Sequence, residues 1–379
     1  MMRRILILDN ELDMGGKEKS LVQFIARTDR GRFHFAVCCL KNGGYFKDTL
    51  TKMGIPFYDG ILRHRFDALG FLGLARVLRK ERPDLIYTFS HPNTIIFSYL
   101  AKQRGLAGRV VVSYHAMGDT GGTRQVVPYL LPLLRRADAL LAVAEIQKDY
   151  LVETEGLPRE KIRVIHNGVD TVKFEPPTAD ERATIRRELG IADHEVAIIS
   201  VASLKPLKRI DALLTAAAGL AATGGAVRVL VVGDGSERAL LEKLAIDLGI
   251  AGQVTFFGLR DDVERLLKAS DIFVLASRTE AFPNVVLEAM ATGLPVIATN
   301  VGSVREMVEP DASALIVESG DDAALSAALK RLHGDAGLRA RLGRRGRDIV
   351  NERFGFDVMC RKREQMFEDV IAGEGAAVQ

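Results

Sequence analysis

The chain has 379 residues, 47% of them hydrophobic and 27% charged, with a net charge of +3. That length exceeds one ordinary core and predicts two domains, while no apolar run approaches the roughly 18 residues of a membrane span. Cys38, Cys39 and Cys360 supply neither a disulfide framework nor a metal-ligand spacing, and the first apolar run stops at Asp9, too short for a signal peptide; a cytoplasmic protein is expected.

Taken in chain order, short β-branched runs alternate with amphipathic ones. Strands are predicted at 3–9, 33–40, 84–89, 109–113 and 138–143, and helices at 16–28, 45–53, 66–81 and 93–103. The Asn-Gly and Pro-Pro pairs of "HNGVDTVKFEPP" then interrupt the pattern. It restarts with strands at 196–202, 227–233, 253–258, 271–277, 294–299 and 314–318. The last helical stretch, 335–371, contains Gly343, Gly346 and Gly355 and is expected to break. Strands apolar on both faces, each followed by a helix, predict two doubly wound parallel sheets. The domains are expected at 1–172, joined by a C-terminal helix over 356–379, and at 173–355. Two such Rossmann-like domains imply a central cleft, with chemistry at the carboxyl ends of the strands.

Charge is uneven: residues 1–170 carry +8 and the remainder −5. A basic half can attract an anionic substrate or membrane surface, or can be scattered solvated lysines and arginines. No aromatic-rich basic stretch points to nucleic acid.

The strand ends hold the polar residues of interest. "TEAFPNVVLEAM" places Glu280 before a helix that Pro283 opens, since proline lacks the amide hydrogen that is unpaired there. The free amides of such a helix favour a phosphate. Glu288 follows on an otherwise apolar helix and needs donors, which ribose hydroxyls would provide. A dipole partner at Glu280 and a buried salt bridge at Glu288 satisfy the same pattern. Gly15 and Gly16 form a turn that a phosphate or sugar could approach closely; an ordinary βα turn has the same composition. "SLKPLKRID" supplies Lys205, Lys208 and Arg209, which could hold a diphosphate or line a solvated loop. His91 and His115 close two other strands.

Together these residues resemble a known family. "EAFPNVVLE" is similar to the E-x7-E motif of the retaining glycosyltransferases of family 4, which have the GT-B fold. "GGKE" at 15–18, "VIHNGVDTVKF" at 164–174, "VVGDGSE" at 231–237 and the 254–277 segment also match, so the resemblance covers nearly the whole chain. It implies an α/β GT-B enzyme moving a sugar from a nucleotide-sugar donor, UDP-linked by default, to a glycan or lipid-linked acceptor of the cell envelope. By position, Glu280, Lys208 and His115 would be catalytic. Gly15, Gly16, Ser203, Arg209, Gly233, Phe282, Pro283, Asn284, Val285 and Glu288 would bind the donor, with Glu288 on the ribose. His91 and Asp13 would lie on the acceptor side. The resemblance further implies front-face transfer without a protein nucleophile. No Asp-x-Asp is present, no metal and no cofactor are expected, and the nucleotide sugar is the substrate.

One departure matters. The family's Gly-Arg is here Ala202-Ser203, so the phosphate clamp lacks its arginine, and Lys205 or Arg209 would have to replace it. That leaves open a non-catalytic nucleotide-sugar-binding subunit, as well as a sugar-nucleotide epimerase of the same architecture. An NAD-dependent dehydrogenase is disfavoured by the missing glycine fingerprint. The apolar-basic stretches at 62–82 and 124–136 fit either peripheral docking on the inner membrane face or packing of Phe66, Leu69, Leu72 and Leu78 on the sheet.

Overall fold

Runs such as RILILD and VRVLVV have no polar face, so their strands are stable only when covered on both sides. The computed structural model, which describes residues 2–13, 15–62, 67, 70–115 and 126–373, places them in two parallel sheets. One unit comprises Met1–Asn167 with Phe356–Gln379, the other Gly168–Gly355.

The first unit contains β1 (Arg3–Asp9), β2 (Phe33–Cys39), β3 (Phe57–Tyr58), β4 (Leu85–Phe89), β5 (Arg109–Ser113), β6 (Ala139–Ala142) and β7 (Ile162–Val164). Their order is β3-β2-β1-β4-β5-β6-β7. Alternation along β1 shows how both faces are covered. Ile5 and Ile7 pack with residues of the Gly16–Arg27 and Phe356–Ala372 helices, whereas Leu6 and Leu8 pack with the Gly70–Glu81 helix. The two-residue β3 and three-residue β7 lie at the sheet edges and are too short to give a periodic signal.

The second unit contains β8 (Val196–Val201), β9 (Val227–Val232), β10 (Val254–Phe256), β11 (Ile272–Leu275), β12 (Val296–Thr299) and β13 (Ala314–Val317), in the order β10-β9-β8-β11-β12-β13. In both sheets the winding reverses once, between β1 and β4 and between β8 and β11. The connections diverge there, which is where doubly wound sheets place their ligand sites.

The expected break near the C-terminus falls at Gly355 alone. The Ala336–Ile349 helix continues through Gly343 and Gly346 and ends in a wide turn over Val350–Phe354. A Cβ on Gly343 would collide with the Gly293 carbonyl, and Gly346 faces Met290, so these glycines permit close packing. After an extended Gly355, the Phe356–Ala372 helix joins the first unit, where Phe367 meets Phe24 edge-on at 5.8 Å.

In the two apolar-basic stretches, Leu74, Val77, Leu78, Val126, Leu130 and Leu134 are buried against the sheet, while Leu72, Val127 and Tyr129 are exposed. Phe66, Leu69, Arg124 and Gln125 lie outside the described residues, as do residues 374–379 of the expected C-terminal helix. Among the described residues no helix is long and apolar enough to cross a membrane.

Candidate active site

In the second unit the site starts where β8 ends. The chain passes into a tight turn, Pro206–Lys208, and Arg209 adopts the left-handed conformation (φ +50°) before the Ile210–Ala222 helix. The Lys208 ammonium donates to Oε1 of Glu280 at 2.5 Å, and the Ser277 hydroxyl donates to the same oxygen at 2.7 Å. The Arg278 amide donates to the Leu207 carbonyl at 2.7 Å, so the loops after β8 and β11 are fastened together across the switch point. The Lys208 and Glu280 side chains are 23% and 14% exposed. They are shielded enough to strengthen their attraction and open enough to meet a ligand.

Behind Glu280, Gly302 has φ +52°, and any Cβ there would collide with the Glu280 carbonyl. Pro283 caps the Asn284–Ala291 helix without a side-chain hydrogen bond. Glu288 sits half-buried on that helix, beside the buried Leu287 and Ala289, and Asn284 and Val285 are half-buried at its start. Phe282 is buried, its ring 6.3 Å from that of Phe354.

Among the cations proposed to replace the absent arginine, Arg209 is already engaged, with Asp211 at 3.1 Å and Asp322 at 2.8 Å. Burial draws its pKa down, but Asp322 and Asp211 outweigh burial and raise it. Lys205 and Ser203 are exposed, and among the described residues Lys205 makes no ion pair. Gly233 has φ +125° and is buried against the Ala202 carbonyl, where a Cβ would collide. This glycine lets the loop after β9 approach the loop after β8.

The first unit assembles a second polar cluster at its own switch point. Asp9 closes β1, fully buried, and its Oδ2 accepts from Lys17 at 2.9 Å; Lys17 also pairs with Glu18 at 3.1 Å. The ammonium lies 4.2 Å from the centre of the Phe89 ring. Burial pushes the Asp9 carboxyl up despite the pull of Lys17. Burial draws Lys17 down, but Asp9 and Glu18 outweigh it and hold its pKa above the usual value. Gly15 is the helix cap, and the Glu18 carboxylate, three positions on, folds back over it and would have to shift to admit a Cβ. Gly16 is exposed in the first turn.

His115 lies just past β5, its Nε2 2.8 Å from the Ser113 hydroxyl and its ring 5.5 Å from that of Phe89. Burial, then the charges of Arg363 and Lys17, hold its pKa well below 6.5. His91 is exposed at the start of the Pro92–Gln103 helix, and Asp13 is exposed in the loop after β1.

Sequence reasoning missed Asp9, Lys17, Ser113, Ser277, Gly302 and Arg363. Asp9, Ser113 and Ser277 shared a readable signal, each being the polar residue that closes an apolar run at a carboxyl end. Arg363 gave none: it reads as a surface arginine but is 1% exposed. Among the described residues no three His, Cys, Asp or Glu side chains converge to hold a metal.

A family model described as Glycosyltransferase Family 4 matches residues 14–173, and one described as Glycosyl transferases group 1 matches 181–349. The chain belongs to glycosyltransferase family 4. This family 4 glycosyltransferase is 29% identical over 304 residues to the N-acetyl-alpha-D-glucosaminyl L-malate synthase of Bacillus anthracis, covering 79% of this chain and 78% of the relative. It is 36% identical over 234 residues to a D-inositol 3-phosphate glycosyltransferase of Nocardia farcinica, covering 59% of this chain and 50% of the relative. Similarity to several curated relatives thus spans only about half their length. The crystal structure of Anabaena Alr3699/HepE in complex with UDP superposes with a TM-score of 0.85 at 24% identity, over 97% of this chain and 100% of that one. The fold is GT-B.

Proposed function

We propose that this family 4 glycosyltransferase transfers a sugar, with retention of anomeric configuration, from a UDP-sugar to an acceptor hydroxyl. The observation that carries this reading is the Lys208–Glu280 pair beside the Asn284–Ala291 helix start, at the β8/β11 switch point. Lys208 has three donor hydrogens, so it can keep Glu280 and also meet a diphosphate. As the sugar–phosphate bond breaks, the diphosphate gains charge that Lys208, Lys205 and the free helix amides stabilise. The acceptor oxygen bonds to the anomeric carbon, and its proton passes to the departing phosphate, so no protein nucleophile takes part. Glu288 binds the ribose, His115 meets a substrate hydroxyl, and His91 and Asp13 serve the acceptor. UDP as the base is supported by the complexes of HepE with UDP and with UDP-glucose.

The acceptor is a glycan or lipid-linked sugar made at the inner membrane face. Exposed Leu72, Val127 and Tyr129, with Arg76, Arg79, Arg135 and Arg136, support peripheral docking on anionic lipid. The relatives' names favour a second reading, a small anionic hydroxyl compound such as malate or an inositol phosphate.

The test combines thermal shift against UDP-, GDP- and ADP-sugars with transfer assays on lipid-linked, malate and inositol phosphate acceptors, with EDTA and with anionic vesicles over a salt series. Stabilisation by UDP-sugars and EDTA-resistant transfer with retention are expected. Binding without transfer to any acceptor would favour the non-catalytic reading.

A further inference from the structure

Ser113 and His115 lie two residues apart at the end of β5, and their side chains turn to the same side. Ser113 is fully buried, and among the described residues His115 is its hydroxyl's one hydrogen-bond partner, at 2.8 Å from Nε2. The direction of this bond follows from the cost of burial. If Nε2–H donated to the serine oxygen, the hydroxyl hydrogen would be buried without an acceptor. If the hydroxyl donates to Nε2, both groups are satisfied and the ring proton must reside on Nδ1.

We infer that Ser113 is a positioning residue that locks His115 in the Nδ1–H tautomer, so that His115 serves the transfer as a fixed neutral hydrogen-bond donor and not as a base. The groups around the ring agree. Phe89 of β4 packs on it, Lys17 approaches from the Gly16–Arg27 helix, and Arg363 from the Phe356–Ala372 helix. The two neighbouring charges are cationic, and the carboxylate that Lys17 meets, Asp9, is already paired with it. A positive charge on His115 is therefore opposed from two elements. An N–H of fixed direction suits a substrate oxygen that bears hydroxyl or developing negative character. A group that keeps its proton across the working pH range takes no proton from the acceptor, consistent with the departing phosphate doing so. This inference rests on the proposed transfer reaction for its purpose but not for its geometry.

The experiment uses the full-length enzyme labelled with 15N-histidine, with the His115 signal among seven histidines identified by its loss in His115→Gln. In long-range 1H–15N spectra of the free enzyme, His115 should show Nδ1 protonated and Nε2 bare, unchanged between about pH 5.5 and 8.5. Ser113→Ala should move the signal to an average of two tautomers and lower donor kcat/KM about tenfold; Ser113→Thr, which keeps the hydroxyl, should restore both. A wild-type Nε2–H tautomer, or a His115 titration midpoint inside that range, would overturn the inference. So would a Ser113→Ala signal identical to wild type, or a shifted signal with kcat/KM unchanged. If Ser113→Ala does not fold, the wild-type spectrum alone decides the tautomer. The expected spectrum together with no transfer from any nucleotide sugar would sink the proposed reaction and leave the tautomer assignment standing.

Discussion

At the scale of single residues, Lys208 and Glu280 behave as one unit. They are 72 positions apart in sequence and share a 2.5 Å bond whose acceptor oxygen is also held by Ser277. Lys208→Ala should reduce turnover about 10²–10³-fold, with a smaller loss in donor affinity, because the diphosphate charge grows towards the transition state. Glu280→Gln keeps the shape but weakens the anchor of the ammonium, so it should also lower turnover. The double variant should be little worse than the poorer single one. Steady-state kinetics of the three variants checks this, and additive losses would show that the pair does not act together. A separate contribution is expected of Lys205: Lys205→Ala should cost turnover while Arg209→Ala costs mainly stability, since Arg209 already serves Asp211 and Asp322.

At the scale of elements, the loop after β12 supports the loop after β11. Gly302 combines a left-handed backbone with contact against the Glu280 carbonyl, whereas Gly190 has a similar φ of +66° and nothing within 4 Å of its Cβ position. Gly190→Ala should therefore cost only the left-handed penalty of about 1 kcal/mol. Gly302→Ala should cost at least twice that and lower turnover as well, because relieving the clash displaces Glu280. Thermal unfolding and kcat of both variants make the comparison. Equal destabilisation with unchanged kcat would mean that the β12 loop does not position the carboxylate. The same close-packing logic accounts for Gly343, where the glycines of the sequence suggested a break and the helix instead runs on against Gly293.

At the scale of the whole molecule, the His115 contribution to stability should fall on acidification, whereas the raised Asp9 carboxyl acts in the opposite sense. His115 is neutral in the fold with a pKa well below 6.5, so the unfolded chain takes up a proton first as pH drops. Its contribution is complete above about 6.5 and is lost as pH falls towards the folded value, with a slope of up to about 1.4 kcal/mol per pH unit. Urea unfolding of wild type and His115→Gln at neutral and mildly acid pH should show a shallower dependence in the variant; parallel curves would contradict the depressed pKa.

The sequence by itself determined the two parallel sheets, because strands such as Ile5–Leu8 are apolar on both faces and that pattern is local. It also carried the polar residues at the carboxyl ends, through the Glu280–Glu288 spacing and the Gly15–Gly16 turn. Tertiary structure alone decided which of those residues meet. Lys208 reaches Glu280 because β8 and β11 become neighbours where the winding reverses, and no local pattern marks that reversal. Arg363 enters the first unit because the chain returns there after Gly355. The same composition on a helix would otherwise place its charge in water, since only a tertiary environment can repay the burial of a guanidinium.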